Sequence, residues 1–300
     1  MHIGIKIPNW GPLAGPDVLG ATAVAAEARG FGSVWVSDHI ALPRTPLAGY
    51  PYTETASPPF DPGTPFVEAL LSLAHVAAVT CRVQLGTGVL VLPLRDPLLI
   101  AKQAASLDVL ARGRLVLGVG AGWLEDEFRL LGKGFGDRGR RMDDTIRTMR
   151  SCWAGEEIEV AGTRVAVAVD PLPPRDPALP IVIGGHSPAA LRRAATLGDA
   201  WYASNVTADE FGALVESLRA LPGGAALAVG ARPGVVAADD ASDVVGSFRR
   251  AGADFVVLDG PFASVDVGGV LDWVHRTADA LATEYLTEVA QPLVARASEG

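Results

Sequence analysis

The sequence predicts an α/β protein built as a (β/α)8 TIM barrel with insertions, and two patterns and one absence lead there. Short runs rich in β-branched residues alternate along the chain with longer Ala-, Leu- and Arg-rich segments, as successive βαβ units around a parallel sheet require. Eight such runs stand out, enough to close a barrel. An open doubly wound sheet would carry a glycine fingerprint after its first strand, whereas the turn here reads PNWGPLAGPD.

The expected strands, in order, are 2–8 (HIGIKIP), 33–37 (SVWVS), 83–89 (VQLGTGV), 114–119 (RLVLGV), 180–184 (PIVIG), 199–203 (DAWYA), 225–231 (AALAVGA) and 254–259 (DFVVLD). Helical stretches fall near 16–30, 64–79, 97–110, 138–154, 187–198, 207–221 and 241–251, and 266–289 closes the chain as an amphipathic helix or helix pair. Residues 42–65 and 155–180 exceed ordinary loop lengths. The first carries seven prolines with Tyr50, Tyr52 and Phe60 and reads as a binding loop or lid; the second contains EIEVAGTRVAVAV and reads as a β-hairpin. One domain spanning residues 1–300 is expected.

At 300 residues and 49% apolar composition the chain can bury a sizeable core. A formal charge of -9 at pH 7 opposes nucleic-acid and anionic-membrane binding, so a small-molecule partner is expected. Cys81 and Cys152 are the only cysteines, which supports neither a disulfide framework nor a thiolate metal site. Without a signal-peptide pattern or a membrane-length apolar run, a cytoplasmic protein is expected.

In a βα barrel, chemistry gathers where the strands end at their C-terminal side. Those ends supply Asn9 and Trp10, Asp38 and His39, Thr87 to Val89, Gly120 to Trp123, Gly184 to Ser187, Ser204 and Asn205, and Asp259 to Phe262. An imidazole beside a carboxylate can handle a proton near neutrality, so Asp38 and His39 are read either as a proton-handling pair or as turn-capping structural groups. GVGAGW at 118–123 fails the dinucleotide fingerprint because Trp123 stands where its last glycine belongs. In GGHSPAALRRAATLGD, Ser187 reads as an N-cap and Pro188 as the first helical residue, and a helix start of this kind suits a phosphate.

Taken in order, GFGSVWVSDHIALP, VQLGTGVLVLPLRDPLLIAKQAASLDVLARGRLVLGVGAGWLEDEF, RGRRMDDTIRTMRSCW and PIVIGGHSPAALRRAATLGDAWY resemble the luciferase-like flavin and deazaflavin oxidoreductases over nearly the whole chain. That resemblance implies a barrel, frequently dimeric, that binds FMN or coenzyme F420 at its C-terminal rim. Ser37-Asp38-His39 resembles the F420-dependent branch, so coenzyme F420 is the expected cofactor, with FMN the alternative.

The resemblance further implies that Asp38 and His39 lie near the redox ring, with His39 exchanging the proton and Asp38 orienting it. Thr87, Gly88 and Val89 match a bulge behind the ring, often formed through a non-proline cis peptide. Gly120, Ala121, Gly122 and Trp123, with Gly184, Gly185, His186 and Ser187, match segments that hold the cofactor's ribityl chain and phosphate. Members acting on sugar phosphates carry a glutamate where this chain has Trp123, so a flatter or more apolar substrate is expected, walled by Trp10, Trp123 and the 42–65 loop, with Asn9 a further substrate contact. The expected reaction is hydride transfer between coenzyme F420 and a small organic substrate. An FMN-dependent monooxygenase, a non-catalytic flavin-binding barrel and an unrelated barrel enzyme for phosphorylated metabolites are the alternatives, and no metal, nucleic acid or membrane partner is expected.

Overall fold

The structure is a computed structural model that describes residues 1–44, 61, 63–160, 162–167, 169, 179–262, 265–282, 284–286 and 292–294. Tyr50, Tyr52 and Phe60 lie outside the described residues.

In chain order the elements are β1 (His2–Lys6), α1 (Pro16–Ala28), β2 (Ser33–Val36), α2 (Ala69–Val79), β3 (Gln84–Thr87), β4 (Leu90–Val91), α3 (Pro97–Leu110), β5 (Leu115–Gly120), α4 (Glu125–Leu130), α5 (Arg138–Ala154), β6 (Glu157–Val160), β7 (Thr163–Ala166), β8 (Ile181–Gly184), α6 (Pro188–Leu197), β9 (Ala200–Ser204), α7 (Ala208–Arg219), β10 (Ala228–Arg232), α8 (Ala241–Arg250), β11 (Phe255–Leu258) and α9 (Val267–Leu281). Parallel pairing runs β3-β2-β1-β11-β10-β9-β8-β5, and β3 pairs with β5 through Leu85↔Leu115 and Gly86↔Val116, which closes an eight-stranded barrel. The two-residue β4 continues alongside the end of β5, and β6 and β7 form the antiparallel hairpin expected in the second insertion.

Strand alternation decides what faces the interior. On β1, Ile3, Ile5 and Ile7 join the outer core under the helices, so His2, Gly4 and Lys6 take the opposite phase. The interior is filled by three fully buried rings from separate strands: Trp35 stacks on Tyr202 at 5.5 Å between centroids and on Phe255 at 6.3 Å. Glycines make the room they need. A Cβ on Gly86 would lie 2.4 Å from the Trp35 ring, and one on Gly230 would lie 2.1 Å from the Phe255 ring.

Helix starts follow their capping residues. Asp96 caps α3 ahead of Pro97, Ser187 caps α6 ahead of Pro188, and Thr207 with Glu210 forms a capping box on α7. The helix expected over 64–79 begins only at Ala69, where Glu68 accepts from the Leu71 amide. The preceding residues are extended instead, pairing Phe66 with Trp10 and donating the Val67 amide to the Asn9 carbonyl. The strand expected over 225–231 runs 228–232 because Arg219 gathers the carbonyls of Gly224, Ala225 and Leu227 into a turn first.

Candidate active site at the barrel mouth

A cavity of about 1220 Å³ opens at the C-terminal ends of the strands. His39, Val89, Trp123 and Ser187 all line it, although they come from segments far apart in sequence.

On the β2 side, Asn9 is a clamp. Its Nδ2 donates to the carbonyls of Ser37 at 2.7 Å and Val67 at 3.0 Å, and its Oδ1 accepts from the Ser37 amide at 2.9 Å. Fully buried and committed to backbone, Asn9 lies outside the cavity lining, so the expected substrate contact is corrected to a structural role. The expected orientation of His39 by Asp38 is also corrected. Asp38 forms a bidentate ion pair with Arg95, at 2.7 and 2.8 Å, and accepts from the Val91 amide at 2.8 Å. Burial alone would lower the Arg95 pKa; the Asp38 and Glu68 carboxylates together outweigh it, so the guanidinium is held charged more firmly than usual.

The partner of His39 is Glu127 on α4, whose Oε2 lies 2.9 Å from His39 Nδ1. The other oxygen, Oε1, accepts from the amides of Ile40 and Ala41 at 2.5 and 3.0 Å, so one buried carboxylate fixes both the ring and the backbone that carries it. Phe66 and Trp123 meet the imidazole edge-on from two sides, at centroid distances of 5.3 and 5.8 Å.

Between β3 and β4 the Gly88–Val89 peptide is cis, as the resemblance implied. A Cβ on Gly120 would lie 2.5 Å from one Val89 methyl, and a Cβ on Gly184 2.6 Å from the other. These motif glycines therefore seat the Val89 side chain, which forms a small apolar ledge in the cavity. Thr87 is fully buried, donates from Oγ1 to the Gly118 carbonyl at 2.7 Å and lies outside the lining, so it is corrected to a latch between β3 and β5.

The far wall is the start of α6. Ser187 Oγ accepts from the Ala190 amide at 3.2 Å, and Gly185 has φ +124°, a backbone that favours glycine. His186 Nε2 accepts from the Ser204 amide at 3.0 Å, and burial lowers its pKa despite the opposing charge of Glu210, so this ring is held neutral as an acceptor. Arg138 and Arg193 line the same cavity, Arg193 with its Nε ion-paired to Asp143. Sequence reasoning passed over both, as it did Glu127, Arg95 and Phe66.

A third group occupies the β1, β10 and β11 side; the strand-end reading includes its Asp259 but not Lys6 or Arg232. Arg232 Nη1 lies 3.0 Å and Lys6 Nζ 3.6 Å from the same oxygen of Asp259. Lys6 is only 3% exposed, and burial pulls its pKa down to about 8 against the attraction of Asp259.

Among the described residues, no group of three or more His, Cys, Asp or Glu is placed to hold a metal, and no helix is long and apolar enough to cross a membrane. The model of the luciferase-like monooxygenase family matches residues 3–282. The chain belongs to that family.

Luciferase-like relatives include an uncharacterised protein of Mycobacterium tuberculosis, 30% identical over 87% of this chain and 93% of that one. The F420-dependent glucose-6-phosphate dehydrogenase of Gordonia bronchialis is 34% identical over 61% of this chain, spanning 52% of its own length. Two solved structures share the fold. One is an F420-dependent secondary alcohol dehydrogenase in complex with an F420–acetone adduct (TM-score 0.72, 17% identity, covering 93% of this chain and 98% of that one). The other is the oxygenating constituent of a Pseudomonas putida 3,6-diketocamphane monooxygenase in complex with FMN (TM-score 0.69, 13% identity, covering 95% and 99%).

Proposed function

We propose that this luciferase-like enzyme binds coenzyme F420 at the barrel mouth and catalyses hydride transfer between it and a small organic substrate. One observation carries the reading: His39 and the start of α6 line the same cavity with the Val89 ledge between them. The donor set fits such a cofactor. An apolar ledge suits a flat ring, while the helix start of α6 with Arg138 and Arg193 suits a phosphate. The F420-dependent names among the relatives support the same choice.

Bound in this cavity, the deazaflavin would supply hydride exchange with the substrate. The chain's own residues place the reactants and move the proton. Glu127 holds the His39 ring by Nδ1, and the imidazole gives or takes the proton that accompanies the hydride. Phe66 and Trp123 confine that ring and help keep water from it. Arg95 pairs with Asp38 and through it fixes the start of β4 beside the ledge.

Parallel titration of the protein with coenzyme F420 and FMN tests the reading, and F420 is expected to bind more tightly. His39→Ala is expected to lower turnover by about 10²–10⁴-fold while leaving F420 affinity within a few-fold. Preference for FMN, with oxygen consumed when reduced FMN is supplied, would establish the monooxygenase reading that the diketocamphane enzyme's FMN complex favours. Binding of neither cofactor would overturn both.

A further inference from the structure

Strand alternation also decides what fills the N-terminal end of the barrel. Five of the eight barrel strands open their interior phase there with a polar or small side chain: His2, Ser33, Gln84, Ala200 and Ala228. His2 Nε2 lies 2.8 Å from Ser33 Oγ, which also accepts from Trp35 Nε1 at 2.8 Å. A barrel interior is packed by bulky side chains in layers, and this layer is short of apolar bulk from its own strands.

The bulk comes from far along the chain. Leu293, 6% exposed, joins the interior cluster that holds Trp35, Val116, Val182, Tyr202 and Phe255, and Val294 packs against it. The Leu293 amide donates to Gln84 Oε1 at 2.9 Å, so one residue supplies apolar bulk and meets an interior polar group on β3.

The other side of that cluster is the floor of the mouth. A Cβ on Gly88 would lie 3.3 Å from the Trp35 ring and 3.4 Å from Tyr202 Oη, and one on Gly118 would lie 3.3 Å from Trp35. The ring layer therefore links the N-terminal end of the barrel to the Gly88–Val89 ledge.

We propose that Leu293 is a positioning residue for the mouth: it stoppers the N-terminal end of the barrel and, through the Trp35–Tyr202–Phe255 layer, keeps the floor under the Val89 ledge in place. A close-packed interior passes a void on to its neighbours, and losing this leucine would let the rings relax away from the ledge. The role does not depend on which cofactor the mouth takes.

Hydrogen exchange over residues 86–91, which include the Gly88 amide bonded to Val36 O and the Val91 amide bonded to Asp38, tests the role in Leu293→Ala against Leu281→Ala. Leu281 is also buried, but in the outer core on α9. Both variants are expected to lose about 4–10 °C in melting temperature. Only Leu293→Ala should speed exchange of the ledge amides, by about tenfold relative to Leu281→Ala, and Leu293→Met should restore it. On a Cys81→Ser background, the thiol introduced by Leu293→Cys should react with a soluble disulfide reagent about 100-fold more slowly than the exposed Cys81 does in wild type. Ledge exchange that rises equally in the two alanine variants, or labelling as fast as that of Cys81, overturns the proposal. Affinity for F420 is expected to fall about fivefold in Leu293→Ala and to hold within about twofold in Leu281→Ala. Unchanged affinity in Leu293→Ala also overturns the proposal, whereas a wild type that binds no F420 overturns the cofactor reading and leaves ledge exchange to decide this one.

Discussion

Two buried cations stand at opposite ends of the barrel, and they are treated differently. Arg114, just before β5 at the N-terminal end, is 8% exposed and uses its whole guanidinium. Nε donates to Ala111 O, Nη1 to Thr80 Oγ1 and Val83 O, and Nη2 to Ala77 O and Thr80 O, at 2.7–3.2 Å. Lys6, ending β1 at the C-terminal end, is 3% exposed and has a carboxylate at 3.6 Å that it shares with Arg232. A buried cation whose donors are all met is scaffold; at Lys6 burial outweighs the attraction of its carboxylate, so holding the charge stays costly.

The largest expected effect tests the saturated end. Arg114→Leu strands several buried carbonyls, and chemical denaturation should show a loss of about 3–5 kcal/mol. The Arg95–Asp38 pair lies at the mouth yet is matched like Arg114. Arg95→Leu should therefore behave as a stability mutation, costing about 3 kcal/mol because the Asp38 carboxylate is left buried without its cation.

Lys6→Met should act in the opposite direction, raising the unfolding free energy at pH 7 by about 1–3 kcal/mol as the desolvated ammonium disappears. The pH dependence has a definite sign. Below about pH 8 the folded chain carries the buried charge and the cost is fully present; between about 8 and 10.5 the unfolded chain holds a proton that the folded chain has released. Lys6 thus contributes a rise in stability with pH across that window. Urea denaturation at both ends of it should show the rise in wild type and a smaller one in the variant. The smallest effect concerns the proton-handling side: Glu127→Gln should lower kcat by roughly 10–100-fold with little change in cofactor affinity, because it replaces a charge-assisted hydrogen bond to His39 with a neutral one.

The barrel was legible because alternating strand and helix composition is local, and so was the Gly88–Val89 bulge, carried by a contiguous run of motif residues. Partnerships across the mouth were not. Asp38 and His39 are adjacent in the chain, which made them look like a pair, yet successive residues leaving a strand point in different directions, and here one meets Arg95 and the other Glu127. Glu127 is 88 positions from His39 on the six-residue α4, among Glu125, Asp126 and Glu127, where nothing periodic marks which acid turns inward. Asn9 and Thr87 were read as ligand contacts from their places at strand ends, but short side chains there satisfy neighbouring backbone first. Lys6 carried a readable signal that was passed over: in HIGIKIP it is the one long polar residue in phase with His2 and Gly4 rather than with the isoleucines.

The seating of Val89 against Gly120 and Gly184 ties three strands into one fitted joint. Residues 89, 120 and 184 cannot vary independently: adding a methyl at either glycine requires position 89 to shrink, and restoring bulk there requires both glycines back. Across descendants of this sequence these positions should change together or not at all.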